Sequence, residues 1–376
     1  FNNRLCDRQF ARMENKMKKV YIPLINLSNH GGVRILIELA NYLADNDCDV
    51  EIIVPNYDYQ SVYKINNSNI KIKKIGPAIK NKKLRYLIFL IILPFKLKSN
   101  AFVIANFFPT YFPSIAWSFL KKGKVVYFIQ DIESKYAGLI GTFVNKFCNF
   151  TYTRHLSDVK ITANIHLKKL VEGFSKTNIS TINIGLSNSF VTRPFVPENK
   201  KYDIIFFLRR EEWKRPHLLK DILLVLKDKY NFKPSVLAVS QDRLLLEEYS
   251  EFLNASISPK DDSELIESID SSRLLLFTSS KEGFGLPPLE CMSRGLPAII
   301  FECGGPNIYA EHEQNAFIVN DKIVAADYIF TILHDAGLYN KISVAAKETA
   351  ISFSNEKGFS EFNSLLNDIA QNNETI

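Results

Sequence analysis

Leu274-Leu-Leu-Phe-Thr-Ser-Ser-Lys-Glu-Gly-Phe-Gly-Leu-Pro-Pro-Leu-Glu-Cys-Met-Ser293 decides how this 376-residue chain is read. A short apolar run feeds a glycine-rich turn, and the turn opens a helix at Pro287 and Pro288. The run reads as a buried strand. Gly283 and Gly285 let the backbone turn tightly, and proline is favoured in a first helical turn. The free amides of the glycine turn attract an anion ahead of the helix, so Gly283, Phe284, Gly285, Leu286 and Pro287 read as a diphosphate cradle. Glu282 stands before the turn and Glu290 on the helix after it. A carboxylate accepts hydrogen bonds from vicinal hydroxyls, which suits the first to a sugar and the second to a ribose. A turn cap and a solvated helix residue are the structural alternatives for the two.

The same strand-to-helix unit repeats outward in both directions. Val20–Leu24, Val50–Val54, Ala101–Ala105, Val125–Ile129, Val159–Thr162 and Ile179–Ile182 read as strands, with helix-period segments such as Val33–Ala44 between them. Residues 191–201, polar and proline-containing, read as a linker. The pattern then restarts with strands at Asp203–Leu208, Ser235–Val239, Leu274–Thr278, Ala298–Phe301 and Phe317–Val319, and helices at 217–229, 242–253, 262–270 and 287–294. This predicts an α/β chain of two tandem doubly wound, Rossmann-like domains, 18–190 and 202–350, facing a cleft, with ligands at the carboxyl ends of the strands. An extension covers 1–17, and a helix at 351–376 is free to cross back to the first domain.

Three further places carry chemistry. Arg209 and Lys214 follow the first strand of the second domain, where a guanidinium and an ammonium suit the phosphates of a departing nucleotide diphosphate; a basic surface turn would look the same. Gly31 and Gly32 open the first helix, where backbone can approach a phosphate. Gln130 and Asp131 end a strand and are candidates to hold an acceptor, although Asp131 equally suits a helix cap.

Glu282-Gly-Phe-Gly-Leu-Pro-Pro-Leu-Glu290 resembles the donor-site motif of glycosyltransferase family 4, in which two glutamates flank seven residues. That family has the GT-B fold. Its Gly-Arg-x(4)-Lys-Gly segment is matched at Arg209 and Lys214, while Leu208 and Arg215 stand in place of its two glycines. Its Gly-Gly loop is matched at Gly31 and Gly32, and Gln130 with Asp131 stands where many relatives carry His-Asp. Asn183-Ile-Gly185 and Gly304-Gly-Pro-Asn307 resemble two of its turns, with the glycine of the first displaced by one and the acidic residue after the second absent.

The resemblance implies a retaining transfer from a nucleotide-diphosphate sugar to a glycan or lipid-linked glycan. Arg209 and Lys214 would stabilise the leaving diphosphate, Glu282 would hold the sugar, Glu290 the ribose, and no metal would be required. It further points to bacterial surface polysaccharides and lipopolysaccharide O-antigen, including rhamnosyl transfer. Two rivals stand beside it: a catalytically silent module that binds a sugar nucleotide or glycan within a larger protein, and a GT-B epimerase or phosphorylase.

The remaining sequence narrows the classes. With 46% hydrophobic and 23% charged residues, this is a globular composition. The net charge of +7 comes without basic-aromatic alternation, so no nucleic acid is expected. Five scattered cysteines in no metal spacing, six separated histidines and no signal peptide at the start point to a cytoplasmic protein without a metal site. The first residue, Phe1, suggests a fragment or processed form. Residues 81–98 set an apolar run between lysines, too short to span a bilayer. Two readings stand, a core-facing helix, which is favoured, and a contact with the inner face of the cell membrane.

Overall fold

A computed structural model gives the structure, and it describes residues 18–27, 31–57, 63–133, 141–154, 156, 158–174, 179–194 and 200–371. The 1–17 extension, Ser28 to His30 ahead of the glycine pair, linker residues 195–199 and the last five residues lie outside the described residues.

The chain divides into two compact units. The first takes in residues 1–129, 133–162 and 171–180, and the second 130–132, 163–170 and 181–376. A seven-stranded sheet runs β3-β2-β1-β4-β5-β6-β7, with β1 Lys18–Pro23, β2 Cys48–Pro55, β3 Lys71–Ile75, β4 Phe102–Ala105, β5 Lys124–Ile129, β6 Asp158–Thr162 and β7 Ser180–Thr181. Val20, Ile22, Ile52, Val103, Val126 and Phe128 are fully or almost fully buried within it. Helix Gly31–Asp45 follows β1, and its exposed Gly31 and Gly32 place first-turn amides at the surface.

The second sheet runs β10-β9-β8-β11-β12-β13, with β8 Tyr202–Phe207, β9 Val236–Val239, β10 Ala255–Ile257, β11 Ser272–Phe277, β12 Ala298–Phe301 and β13 Phe317–Val319. The strand pairs resolved in both sheets are parallel. In each sheet the order reverses beside the first strand, between β1 and β4 and between β8 and β11, the doubly wound arrangement whose crevice lies at the carboxyl ends of those strands. Its core packs Ile204, Phe206, Leu274, Leu276 and Ile299 against Leu219, Ile222, Ile329 and Ile332 from the covering helices.

Helix starts follow capping chemistry. Asp242, Asp261, Asp321 and Asp335 each accept first-turn backbone amides with the side chain. Helix Asn355–Gln371 is held in the second unit: Leu186 N donates to Phe353 O at 2.9 Å, Asn355 N to Leu186 O at 2.9 Å, and Gly185 N to Asn355 Oδ1 at 2.8 Å. Gly358 touches Asn183, and a Cβ there would sit 2.2 Å from the Asn183 carbonyl oxygen.

Helix Lys82–Lys96 covers the 81–98 stretch, opened by Asn81, whose side chain accepts from Leu84 N at 3.1 Å. It buries Arg85, Phe89 and Leu93, yet Leu84, Leu87, Ile91 and Phe95 are exposed, so the core-facing reading covers only one side of it.

Candidate active site

β8 and β11 are neighbours at the reversal of strand order, and the loops that leave their carboxyl ends are laced together. Ser280 N donates to Trp213 O at 2.7 Å, and Thr278 Oγ1 to Lys214 O at 2.7 Å. Arg215 returns two bonds, from Nε to Thr278 O at 2.7 Å and from Nη2 to Ser279 O at 3.0 Å. Across this seam Lys214 Nζ donates to Glu282 Oε1 at 2.6 Å, with side-chain exposures of 26% and 13%. Two residues 68 positions apart in sequence thus form one half-buried ion pair.

Arg215, at the place where the resemblance expects glycine, has a left-handed backbone, the region that favours glycine, with φ 47 and ψ 55. The guanidinium, 4.9 Å over the Phe301 ring, satisfies strand-end carbonyls, and burial lowers its pKa. Leu208, in place of the other glycine, extends β8 through Leu208 N to Val239 O at 3.0 Å and is fully buried. Arg209, half-buried, lines a small pocket with Lys214, Thr278, Ser279 and Pro287. Its neighbour Arg210 instead pairs with Asp242 on the surface at 2.8 Å.

The 283–286 turn is gripped from three sides. Glu282 N donates to Cys303 O at 2.9 Å, and Gly305 N to Glu282 O at 3.2 Å. A Cβ on Gly305 would lie 2.6 Å from Phe284 N, so only glycine lets the two turns meet. Gly285 has φ 82 and caps helix Leu286–Ser293, with prolines in its first turn. The Tyr309 hydroxyl donates to Gly285 O, and its ring meets Phe284 edge-on at 5.5 Å. On the third side Asn164, fully buried, donates from Nδ2 to Gly283 O at 3.0 Å while its Oδ1 accepts from Leu167 N at 2.8 Å.

Gln130 and Asp131 come to the same turn. A Cβ on Gly283 would lie 2.8 Å from Gln130 O and 3.0 Å from Asp131 Oδ1. Asp131 Oδ1 accepts from its neighbour Ile132 N at 2.7 Å. Gln130 Nε2 is buried with no hydrogen-bond partner among the described residues. Glu290, 5% exposed, sits on helix Leu286–Ser293 behind the turn.

The structure thus gathers Arg209, Lys214, Glu282, the 283–287 turn, Glu290, Gln130 and Asp131 in the second unit. Gly31 and Gly32 stand in the first, at the start of their helix. Burial holds the Cys291 and Cys303 thiols well above the usual cysteine range, so neither offers a thiolate nucleophile. Among the described residues no three His, Cys, Asp or Glu side chains gather into a metal-binding group. Sequence reasoning missed Asn164, Arg215 and Tyr309. Only Arg215 carried a signal, as a bulky residue where the pattern asks for glycine.

Comparison with known proteins bears on the fold and the family. Residues 191–349 match the family model described as Glycosyl transferases group 1. N-acetyl-alpha-D-glucosaminyl L-malate synthase of Bacillus anthracis is 32% identical over 101 residues, which are 26% of this chain and 26% of that protein. The matched stretch therefore spans about a quarter of the curated relative's length. Sucrose-phosphate synthase from Thermosynechococcus elongatus superposes with a TM-score of 0.76 at 15% identity, covering 94% of this chain and 99% of that one. HepE of Anabaena, solved in complex with UDP-glucose, gives 0.73 at 16% identity over 93% and 99%. At such identities the likeness is one of fold, and the fold is GT-B.

Proposed function

We propose that this chain, a GT-B protein whose residues 191–349 match the model of the glycosyl transferases of group 1, moves a sugar from a nucleotide-diphosphate donor to a glycan or lipid-linked glycan acceptor. The observation that carries the reading is the Lys214–Glu282 pair, set where the second sheet reverses its order and beside a glycine turn that opens a helix. A cation supplied there offsets charge on a diphosphate, and a carboxylate beside it accepts from sugar hydroxyls.

In this reading the donor diphosphate takes over Lys214 from Glu282 and meets Arg209 and the backbone amides of the turn at 283–286. The freed Glu282 turns to the sugar, and Glu290 to the ribose. The bond between the anomeric carbon and the phosphate oxygen breaks while the acceptor hydroxyl attacks the same face and passes its proton to the departing phosphate oxygen, which retains configuration. Gln130 Nε2 and Asp131 orient the acceptor, and Gly31 with Gly32 presents backbone amides that suit a phosphate. Arg209 and Lys214 supply the charge offset that a cation cofactor would otherwise provide, so transfer is expected to persist in EDTA. Loss in chelator with rescue by Mg²⁺ would overturn that assignment. We place the reaction in the cytoplasm and in the assembly of bacterial surface polysaccharide, with rhamnose among the candidate sugars.

The test is transfer from a panel of UDP, GDP and dTDP sugars to glycan acceptors, with the product anomer read by NMR. Retained anomeric configuration is expected. Nucleotide binding without turnover would instead favour a silent binding module, and an epimerised donor an epimerase.

A further inference from the structure

Leu84, Leu87, Ile91 and Phe95 run down helix Lys82–Lys96 at spacings of three and four residues, all exposed, Ile91 by 59% and Phe95 by 68%. Their stripe stands opposite the one that buries Phe89 and Leu93, so the helix is apolar on two sides where a surface helix ordinarily keeps one polar. Beside it, helix Phe108–Lys121 exposes Phe119 and Leu120, and helix Gly141–Thr153 exposes Phe147 and Phe150. Phe112 ties the last two helices together, with ring centroids 6.0 Å from Phe147 and 6.3 Å from Phe150. Between the first two helices runs a groove of about 530 Å³ whose lining, including Leu90, Pro94, Phe112 and Ala116, is apolar throughout. Among the described residues, eight of the eighteen exposed large apolar side chains lie on these three helices, which makes a patch rather than a scatter.

The charge around the patch selects its occupant. Exposed Lys82, Lys83, Lys96, Lys98, Lys121 and Lys122 rim it, and none of the three helices contains Asp or Glu. A second copy would bring lysine against lysine. An anionic lipid surface offers hydrocarbon to the stripe and negative charge to the rim. Helix Lys82–Lys96, at 15 residues, is too short to cross a bilayer, and no described helix is long and apolar enough to do so. We propose that this face of the first unit docks on a bilayer containing anionic phospholipid, with Leu87, Ile91, Phe95, Phe119 and Leu120 at the boundary between headgroups and acyl chains. The proposal gives a surface and a composition to the membrane contact at residues 81–98. It needs no donor, so its outcome is read apart from that of the transfer assay.

The experiment is co-sedimentation of the full chain with vesicles of phosphatidylcholine alone and of phosphatidylcholine mixed with phosphatidylglycerol. Binding to the mixed vesicles is expected, at least about tenfold above that to the neutral ones and weakened by salt. The double variants Ile91→Glu with Phe95→Glu, and Lys82→Glu with Lys83→Glu, should each lose about tenfold or more while keeping the parent melting temperature, since all four side chains are exposed. Leu244→Glu, on a residue 71% exposed in the second unit, should bind as the parent does. Absence of binding to mixed vesicles, equal binding to both kinds, or full binding by the Ile91→Glu, Phe95→Glu variant overturns the proposal. So does a dimer in light scattering that this variant splits, which would assign the face to a second copy.

Discussion

Lys214 is held by Glu282 at 2.6 Å, and a donor diphosphate has to take that ammonium over. Negative charge builds on the bridging oxygen only as the sugar departs, so a preorganised cation lowers the barrier more than it tightens ground-state binding. Lys214→Ala is therefore expected to lower kcat by roughly a hundredfold or more while nucleotide affinity changes little. Steady-state kinetics beside calorimetric binding checks it, and an unchanged kcat with a raised KM would reduce Lys214 to a uniform binding residue. For Glu290→Ala the expectation is the reverse, a loss of about 1.5–3 kcal/mol in affinity for the free nucleotide as ribose hydroxyls lose a charged acceptor. Titration of the variant with the nucleoside diphosphate decides it, and unchanged affinity removes the ribose role. Residues such as these are legible in a sequence because their chemistry sits in a short, unusual string. Asn164 is not: it reaches the 283–286 turn from 119 positions away, and nothing near it in sequence announces the partner. Arg215 was legible only as an anomaly, since its left-handed backbone and its bonds to Thr278 and Ser279 appear once β11 is beside it.

At the scale of elements, the paired turns at 283–286 and 304–305 form one device. Their closeness is set by Gly305, where an added Cβ would meet backbone on both Phe284 and Gly283, at 2.6 and 2.8 Å. Backbone cannot swing aside as a side-chain tip can, so Gly305→Ala should push the donor turn out of place. We expect sharply reduced transfer with a lowered melting temperature, checked by assay and calorimetry together. Unchanged activity would mean that the 304–305 turn does not position the donor site. The central strands were readable because each is a buried apolar run. The strands that escaped, β3 and β10, are edges of their sheets. β3 reads Lys-Ile-Lys-Lys-Ile and exposes Lys71, Ile72 and Lys74, the lysine-rich edge that discourages pairing with other chains, and that protection erases the hydrophobic signal. β10 is three residues long. The helix expected at 242–253 breaks into Arg243–Glu248 and a 3₁₀ turn, Ser250–Phe252, a boundary that periodicity does not resolve.

At the scale of the molecule, the two repeats of strand and helix were plain in the alternation of the sequence. The attachment of 130–132 and 163–170 to the second unit was not, because it rests on contacts such as Asn164 with Gly283. Each unit carries its own buried core, so the chain is expected to unfold in two steps rather than one. The loops after β8, β11 and β12 all belong to the second unit. A nucleoside diphosphate seated on them should therefore stabilise that unit's transition. At a hundred times its dissociation constant a ligand adds about 2.7 kcal/mol. For a domain of this size each kcal/mol is worth roughly 2–4 °C, so a rise of about 5–10 °C is expected. Calorimetric scans with UDP, GDP and dTDP, and with CMP as a monophosphate control, supply the measurement, with hydrogen exchange to tell which unit each transition melts. The fitting diphosphate should move the second unit's transition and CMP should move it less, because the glycine turn at 283–286 acts on the second phosphate. If no diphosphate shifts either transition, the second unit does not hold the donor. If the first unit's transition moves alone, the diphosphate is held by the amides at Gly31 and Gly32, and the roles given to Arg209, Lys214 and the 283–287 turn fall with it.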